Sequence, residues 1–225
     1  MPTAVLLSGG LDSAVLLADE ASQQADPVQP IYIGAGLAWE AAERATLARL
    51  LASPPLGGRV KPLASLSVDM RDVYAATHWA VTGQAPAYHT PDEDVYLPGR
   101  NIILLAKAAV LCAAAGISRM LIGTLDHNPF PDATPAFRAS IAQTLSLGLA
   151  HALQIDAPYA KSSKADVIRK GIALGVPLEL TLSCMKPAGD DHCGTCSKCR
   201  ERHDAFLEAG VADPTRYASV EFTRG

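Results

Sequence analysis

Positive charge is not in excess in this chain: 19 Lys and Arg stand against 23 Asp and Glu, for a formal net charge of −4. A dedicated binder of duplex or transfer RNA carries the opposite balance, so no nucleic acid is expected among its partners beyond what a local basic patch would hold. Aromatic residues make up only 5% and charged residues only 19% of the chain, while hydrophobic residues reach 49%. That balance excludes intrinsic disorder and supplies ample material for a core. No apolar stretch attains the ~20 residues that cross a bilayer. The longest, Ile102 to Ile117, is broken by Lys107 and reads as a buried helix. The apolar start from Ala4 to Leu7 has no basic segment ahead of it and soon meets Gly9, Gly10 and Asp12, which a signal peptide does not tolerate. A cytoplasmic protein with no membrane partner is therefore expected. With 225 residues and ~150 per domain, the length fits one large domain plus a small appendage.

Apolar periodicity orders the chain as alternating strands and helices. Thr3 to Leu7 reads as a strand, and Leu11, Ala14, Val15 and Ala18 open a helix after the Ser8-Gly9-Gly10 loop. Pro27 to Ile33 is a second strand and Leu37 to Leu51 a second helix. Val60 to Leu63 reads as a short strand, Met70 to Trp79 as a helix and Gly83 to Gly99 as a long loop. Asn101 to Gly116 is an Ala/Leu-rich helix, Arg119 to Ile122 the strand after it, and Pro135 to Ala152 another helix. Apolar strands alternating with helices imply an α/β fold, a parallel sheet sandwiched by helices, with ligands at the carboxyl ends of the strands. From residue 181 onward the character changes, giving an expected division into an α/β domain over 1–180 and a helical, cysteine-bearing segment over 181–225 packed on the same domain.

Two local patterns carry chemistry. In Ser8-Gly9-Gly10-Leu11-Asp12-Ser13, two glycines let backbone N–H groups turn toward an anion at a helix N-terminus. No Gly-Lys-Ser/Thr follows, so this is not a Walker A loop, and it is not G-x-G-x-x-G. The plainer alternative is a strand-to-helix turn capped by Ser8 or Asp12. The second pattern is Cys184, Cys193, Cys196 and Cys199, four thiols at short spacing where disulfides seldom persist. Four thiolates suit a closed, structural Zn²⁺ site. An iron–sulfur cluster or a redox pair remains open, because spacing alone does not fix the metal. His192 and His203 are spare ligand candidates, and Cys112 reads as a core residue.

The Ser8–Ser13 hexapeptide resembles the pyrophosphate loop of the N-type ATP pyrophosphatases (the PP-loop, Rossmann-like fold of adenine nucleotide alpha hydrolases). The cysteine set with its neighbours (His192-Cys193-Gly194-Thr195-Cys196-Ser197-Lys198-Cys199-Arg200-Glu201-Arg202, then Phe206 and Tyr217) is similar to the C-terminal segment of the 7-cyano-7-deazaguanine synthase (QueC) family. Pro98-Gly99-Arg100-Asn101 resembles its P-x-R-N segment, Pro131-Asp132 with Pro135 and Phe137 its P-D segment, and Ala157-Pro158 with Lys164 its A-P…K stretch.

The resemblance implies an ATP-dependent, carbon–nitrogen bond-forming ligase of queuosine and deazapurine biosynthesis. It would join 7-carboxy-7-deazaguanine to ammonia through adenylated acid and amide intermediates. It implies ATP and Mg²⁺ at the loop, with Leu7 before it and Ala14, Val15, Leu16 and Leu17 in the helix behind it, and Zn²⁺ on the four cysteines. Asp12, Ser13, Arg100 and Lys164 are then expected to be catalytic, and Arg100, Asn101, Asp126, Phe130 and Asp132 to bind the substrate; a homodimer is the family expectation. Ser163-Lys164-Ala165-Asp166 also reads as a helix capping box, and Asn101 and Asp132 as possible helix caps. Departures from the family pattern gather on the substrate side, at Ile33 to Leu37, His127, Phe130, Ala133, Thr134 and Thr181 to Met185. An amide-forming ligase on a related deazapurine, a tRNA-thiolating enzyme and a zinc-stabilised ATP-sensing module therefore stand as alternatives.

Overall fold

The computed structural model describes residues 1–219; the end of the expected 181–225 segment lies outside the described residues. The chain runs β1 (Thr3–Leu6), α1 (Leu11–Gln23), β2 (Gln29–Gly34), α2 (Glu40–Ala52), β3 (Ala64–Ser67), α3 (Trp79–Thr82), α4 (Arg100–Ala114), β4 (Arg119–Leu121), α5 (Pro135–Leu149), β5 (Gln154–Asp156), α6 (Lys164–Ala173) and α7 (Ser197–Ala209). The five strands form one parallel sheet in the order β3-β2-β1-β4-β5. The chain winds outward from β1 to β3, then returns to start β4 on the other side of β1. This reversal opens a crevice at the carboxyl ends of β1 and β4, the usual ligand position in such sheets.

Each face of the sheet has its own core. Val15 and Leu17 of α1, Ile168 of α6 and Phe206 of α7 pack on one face. On the other lie Leu105, Ala108 and Cys112 of α4 with Met120 and Ile155 of the strands. In α4 the buried residues Leu105, Ala108, Ala109 and Cys112 recur at the three- and four-residue steps of a helical stripe, which is why that helix was readable. A third cluster joins Trp39, Met70, Tyr74, Val95 and Leu97 to Cys184, Cys193, Cys196 and Cys199. The cysteine segment is thus glued to the long loop, and Ala87 pairs with Cys196 in an isolated antiparallel bridge.

Two expected elements differ. The helix expected over Met70 to Trp79 is a series of turns, with helix only at Trp79–Thr82. Asp69 accepts the Arg71 N–H at 3.0 Å and closes a local turn, and Val73 is 70% exposed, so no continuous apolar stripe exists to bury. The strand expected over Val60 to Leu63 contributes one bridge, Val60 to Val28; the ladder begins at Ala64, just after Pro62, which has no N–H to donate. Strand β5 and helices α6 and α7 complete the fold. Among the described residues no helix is long and apolar enough to cross a membrane.

Candidate active site

The loop after β1 is closed by its own serines. Ser8 Oγ accepts the Gly10 N–H at 3.2 Å and lies 3.3 Å from Ser13 Oγ, which donates to the Gly10 carbonyl at 3.0 Å. Gly9 adopts φ +83°, a left-handed conformation suited to glycine. Helix α1 starts at Leu11 with Gly10 as its N-cap residue; Ser8 Oγ takes the N–H of that residue, and no side chain caps the first turn itself. Residues of the first turn line the crevice, and the free N–H groups and dipole of a helix start favour an anion there. Gly123, just after β4, lies close against the first turn of α1: a Cβ there would lie 3.3 Å from the Ser13 nitrogen.

Two cavities share the wall formed by Ser8, Asp12, Glu43 and Arg100. One, of about 300 Å³, is floored by strand-end residues Leu6, Ile31, Ile33 and Ile122 and reaches Asn101 and Asp132. The other, of about 410 Å³, runs past Trp39, Trp79, Asp126 and Phe130 to Lys164, Glu201 and Cys184. The rings of Trp39 and Trp79 stack at 5.7 Å, and Phe130 stacks on Tyr96 at 5.1 Å.

Alternating charges lead from the loop to the cysteines. Lys164 Nζ lies 3.4 Å from Asp12 Oδ2 and contacts Glu201; Lys198 reaches Glu201 at 2.6 Å and Asp92 at 3.9 Å. Burial opposes the Lys164 charge, but Asp12 and Glu201 outweigh it and hold its pKa above the lysine range. Burial likewise opposes ionisation of Glu201, and Lys164 and Lys198 together bring it down to about 2. Asp12 is raised, burial outweighing Lys164, and its Oδ1 is buried with no hydrogen-bond partner among the described residues. The Nε of Arg100 is orphaned in the same way. An unpartnered carboxylate oxygen suits a hard cation and an unpartnered guanidinium nitrogen an anion, so the donor set fits Mg²⁺ with phosphate.

Of the expected substrate residues, Arg100, Asn101, Phe130 and Asp132 meet at one cavity, whereas Asp126 lines the other and its carboxylate accepts the N–H of its neighbour His127 at 2.9 Å. Asp132 is buried, and its carboxylate accepts the Asn101 backbone N–H at 3.2 Å and side-chain N–H at 3.3 Å, fastening the start of α4. Ser163 and Asp166 form the expected capping box at α6, which aims Lys164 inward.

The four cysteine Sγ atoms lie within 4.8 Å of one another and can hold a metal ion. Two of the sulfur pairs lie at 3.5 Å (Cys196 to Cys199) and 3.8 Å (Cys193 to Cys199), against an edge of roughly 3.8 Å for a tetrahedron with ~2.3 Å metal–sulfur arms. His192 is outside this set: it is buried, its Nε2 accepts the Ser183 N–H at 3.0 Å, and burial and Arg202 push its pKa down to about 3. Cys112 is fully buried in the α4 core.

Sequence reasoning gave no role to Glu43, Tyr32 or Glu201. Glu43 is 8% exposed; Tyr32 OH donates to its Oε2 at 2.9 Å and Trp39 Nε1 to its Oε1 at 3.2 Å. Burial pushes its pKa up to about 7 against the pull of Arg100 and Tyr32. A signal was present: Glu43 shares the buried face of α2 with Leu47 and Leu50, so a carboxyl stands where the helical stripe calls for an apolar residue.

A parallel sheet with an open, serine-closed loop at its switch point and a four-cysteine cluster beside it defines a PP-loop α/β protein. The fold matches a 4-thiouridine synthetase solved as an RNA complex with bound ATP, at a TM-score of 0.52 and 15% identity over 96% of this chain and 47% of that one. The model of the family described as "Queuosine biosynthesis protein QueC" matches residues 3–210, and the chain belongs to that family. It is 34% identical to a 7-cyano-7-deazaguanine synthase from Azoarcus sp. over 95% of both chains, and 35% identical to one from Thiobacillus denitrificans over 95% of this chain and 97% of that one.

Proposed function

We propose that this protein is a cytoplasmic ligase that converts 7-carboxy-7-deazaguanine and ammonia to 7-cyano-7-deazaguanine at the expense of ATP. The observation that carries this reading is the meeting, in one cleft, of the uncapped N-terminus of α1, the orphaned Asp12 oxygen and the orphaned Arg100 nitrogen, in a chain whose family match spans residues 3–210. The chemistry takes two rounds. A carboxylate oxygen attacks the α-phosphorus of ATP and pyrophosphate leaves; ammonia then displaces AMP to give the amide. In the second round the amide oxygen is adenylated, and loss of AMP and protons leaves the nitrile.

The first-turn N–H groups of α1, with Ser8 and Ser13, hold phosphate oxygens and stabilise charge developing on pyrophosphate. Lys164 faces the same phosphates from α6. Arg100 holds the substrate carboxylate or a phosphate oxygen, and Asn101, Asp126, Phe130 and Asp132 bound the deazapurine. Mg²⁺, held through Asp12, screens the phosphate charge when bound, and Zn²⁺ on the four thiolates is structural because no open position is left for water. The segment from residue 181 onward is then a dependent part of the α/β domain, consistent with Phe206 and Ala209 lying in the core shared with α1. A homodimer agrees with the outward face of α5, which exposes Leu147 at 76% and carries no charge, the one charged residue of the helix, Arg138, being buried on its inner side.

The test is turnover with Mg-ATP, ammonium and 7-carboxy-7-deazaguanine, following product mass with AMP and pyrophosphate. The expected outcome is nitrile with two AMP per product. Amide with one AMP would assign the substituted pocket around His127 and Phe130 to a single round, and no pyrophosphate release would overturn the reading.

A further inference from the structure

Glu43 has no part in the chemistry described so far, yet it stands on the wall shared by both cavities. The groups that pin its two oxygens, Tyr32 OH and Trp39 Nε1, are both neutral. Among the described residues no Lys, Arg or His nitrogen lies within 4.0 Å of it. Arg100 acts on it from α4 at longer range. Glu40, on the same helix, is turned to the amides of Ala35 and Leu37, and Arg44 lies over the Tyr32 ring at 4.7 Å. A buried carboxylate with neutral partners alone is costly, and a small cation beside it would relieve that cost. A bidentate grip on a flat guanidine-like edge needs both oxygens turned to one edge. Here each oxygen is already held by a separate donor, which leaves lone pairs suited to a compact cation.

Resting on the ligase reading above, we propose that Glu43 binds ammonium and accepts its proton, releasing ammonia beside the acyl adenylate. Ammonium needs such help: alkylammonium groups such as lysine titrate near ~10.4, so little free amine exists at neutral pH. Ammonium and the Glu43 carboxylate become ammonia and the neutral carboxyl. The nitrogen lone pair then forms the C–N bond to the acyl carbon, the C–O bond to AMP breaks with its electrons leaving on AMP, and the second surplus N–H proton passes to water. Burial supports this role, since a carboxyl raised to about 7 is a better proton acceptor than one near 4.5.

Exchange of labelled pyrophosphate into ATP, dependent on the deazapurine acid and run without ammonium, tests the ligase reading by itself; its absence in the wild type overturns that reading and the proposal with it. Given exchange, Glu43→Gln should retain it, raise the KM for ammonium at least about tenfold and lose the step near pH 7 in the amide-forming rate. Hydroxylamine, which is largely unprotonated at neutral pH, should restore turnover as the hydroxamate. An unchanged ammonium KM with a raised KM for the acid would assign Glu43 to the purine and overturn the proposal, as would equal losses with ammonium and hydroxylamine. Should Glu43→Gln lose exchange through misfolding, Tyr32→Phe decides: removing one donor to the carboxylate should move the pH step upward with exchange retained, and an unmoved step overturns the proposal.

Discussion

Above about pH 7 the Glu43 carboxyl is ionised inside the fold, and ionising it there costs more than ionising it in the unfolded chain. Its pKa is raised from 4.5 to about 7 by burial, so the native state binds the proton more tightly. The sign follows: this group favours the native state below about pH 4.5, and that contribution disappears as pH rises through about 7, a span worth about 3 kcal/mol. Glu201 has the opposite sign, because its pKa is lowered to about 2; its stabilisation is present above 4.5 and lost only as pH falls through 2. In a comparison of wild type with Glu43→Gln the Glu201 effect cancels. Urea unfolding between pH 4.5 and 8 should therefore show the difference between the two proteins moving by about 3 kcal/mol in favour of the variant as pH rises. The offset carries the altered Tyr32 contact, in which the amide nitrogen of the variant donates to the phenol oxygen, but the slope does not. A difference flat with pH would mean that water reaches the carboxyl. A fold that keeps such a residue gives up stability at a site where a proton is to be moved.

Elements were legible from sequence where an apolar stripe decides their place. Helix α4 was, since Leu105, Ala108 and Cys112 face the sheet. The cysteine spacing also announced its cluster, because thiol chemistry depends on residue type more than on context. Helix α7 was legible only as an unbounded helical segment, because Ser197 and Arg202 interrupt its inward side ahead of Ala205, Phe206 and Ala209. Arg202 is fully buried, donating to Thr215 Oγ1 at 2.6 Å, Thr181 Oγ1 at 2.8 Å and the Leu178 carbonyl at 2.7 Å, and Ser197 is buried with it. No hydropathy pattern reports a helix that packs through an arginine. The site residue Glu201 was hidden with it, since its meaning arises only when α6 brings Lys164 alongside. This arrangement also ties two functions together: Lys198 and Glu201 lie in the first turns of α7, between and just after the cysteines, and the Leu182 N–H donates to the Gly9 carbonyl at 2.9 Å. Removing the metal by chelation, or Cys196→Ser, should thus lower Tm by at least about 5 °C and weaken ATP binding in the same titration. Unchanged melting with full ATP affinity would show that the four thiols do not form a structural site.

At the scale of the whole molecule, a similar fold occurs in a 4-thiouridine synthetase solved as an RNA complex, of which this chain covers 47%. Architecture alone therefore leaves the substrate class open, and charge has to decide it. A tRNA binder draws most of its affinity from phosphates neutralised by Lys and Arg, and loses it steeply with salt. This chain carries a net charge of −4, and several of its cations are already committed: Lys164 and Lys198 to Glu201, Lys170 to Asp19, and Arg119 to Glu20 and Asp156. The crevice at β1 and β4, by contrast, needs only the α1 N-terminus, Arg100 and the inward-facing Lys164 to hold one nucleotide. Titration with unmodified tRNA between 50 and 200 mM salt, roughly the range over which phosphate-driven binding collapses, should then give no affinity tighter than the non-specific range of about 10⁻⁴ to 10⁻⁶ M. A submicromolar Kd that weakens steeply with salt would instead place a nucleic acid in the cleft and displace the small-molecule reading, even though the fold and the cysteine cluster would stand unchanged.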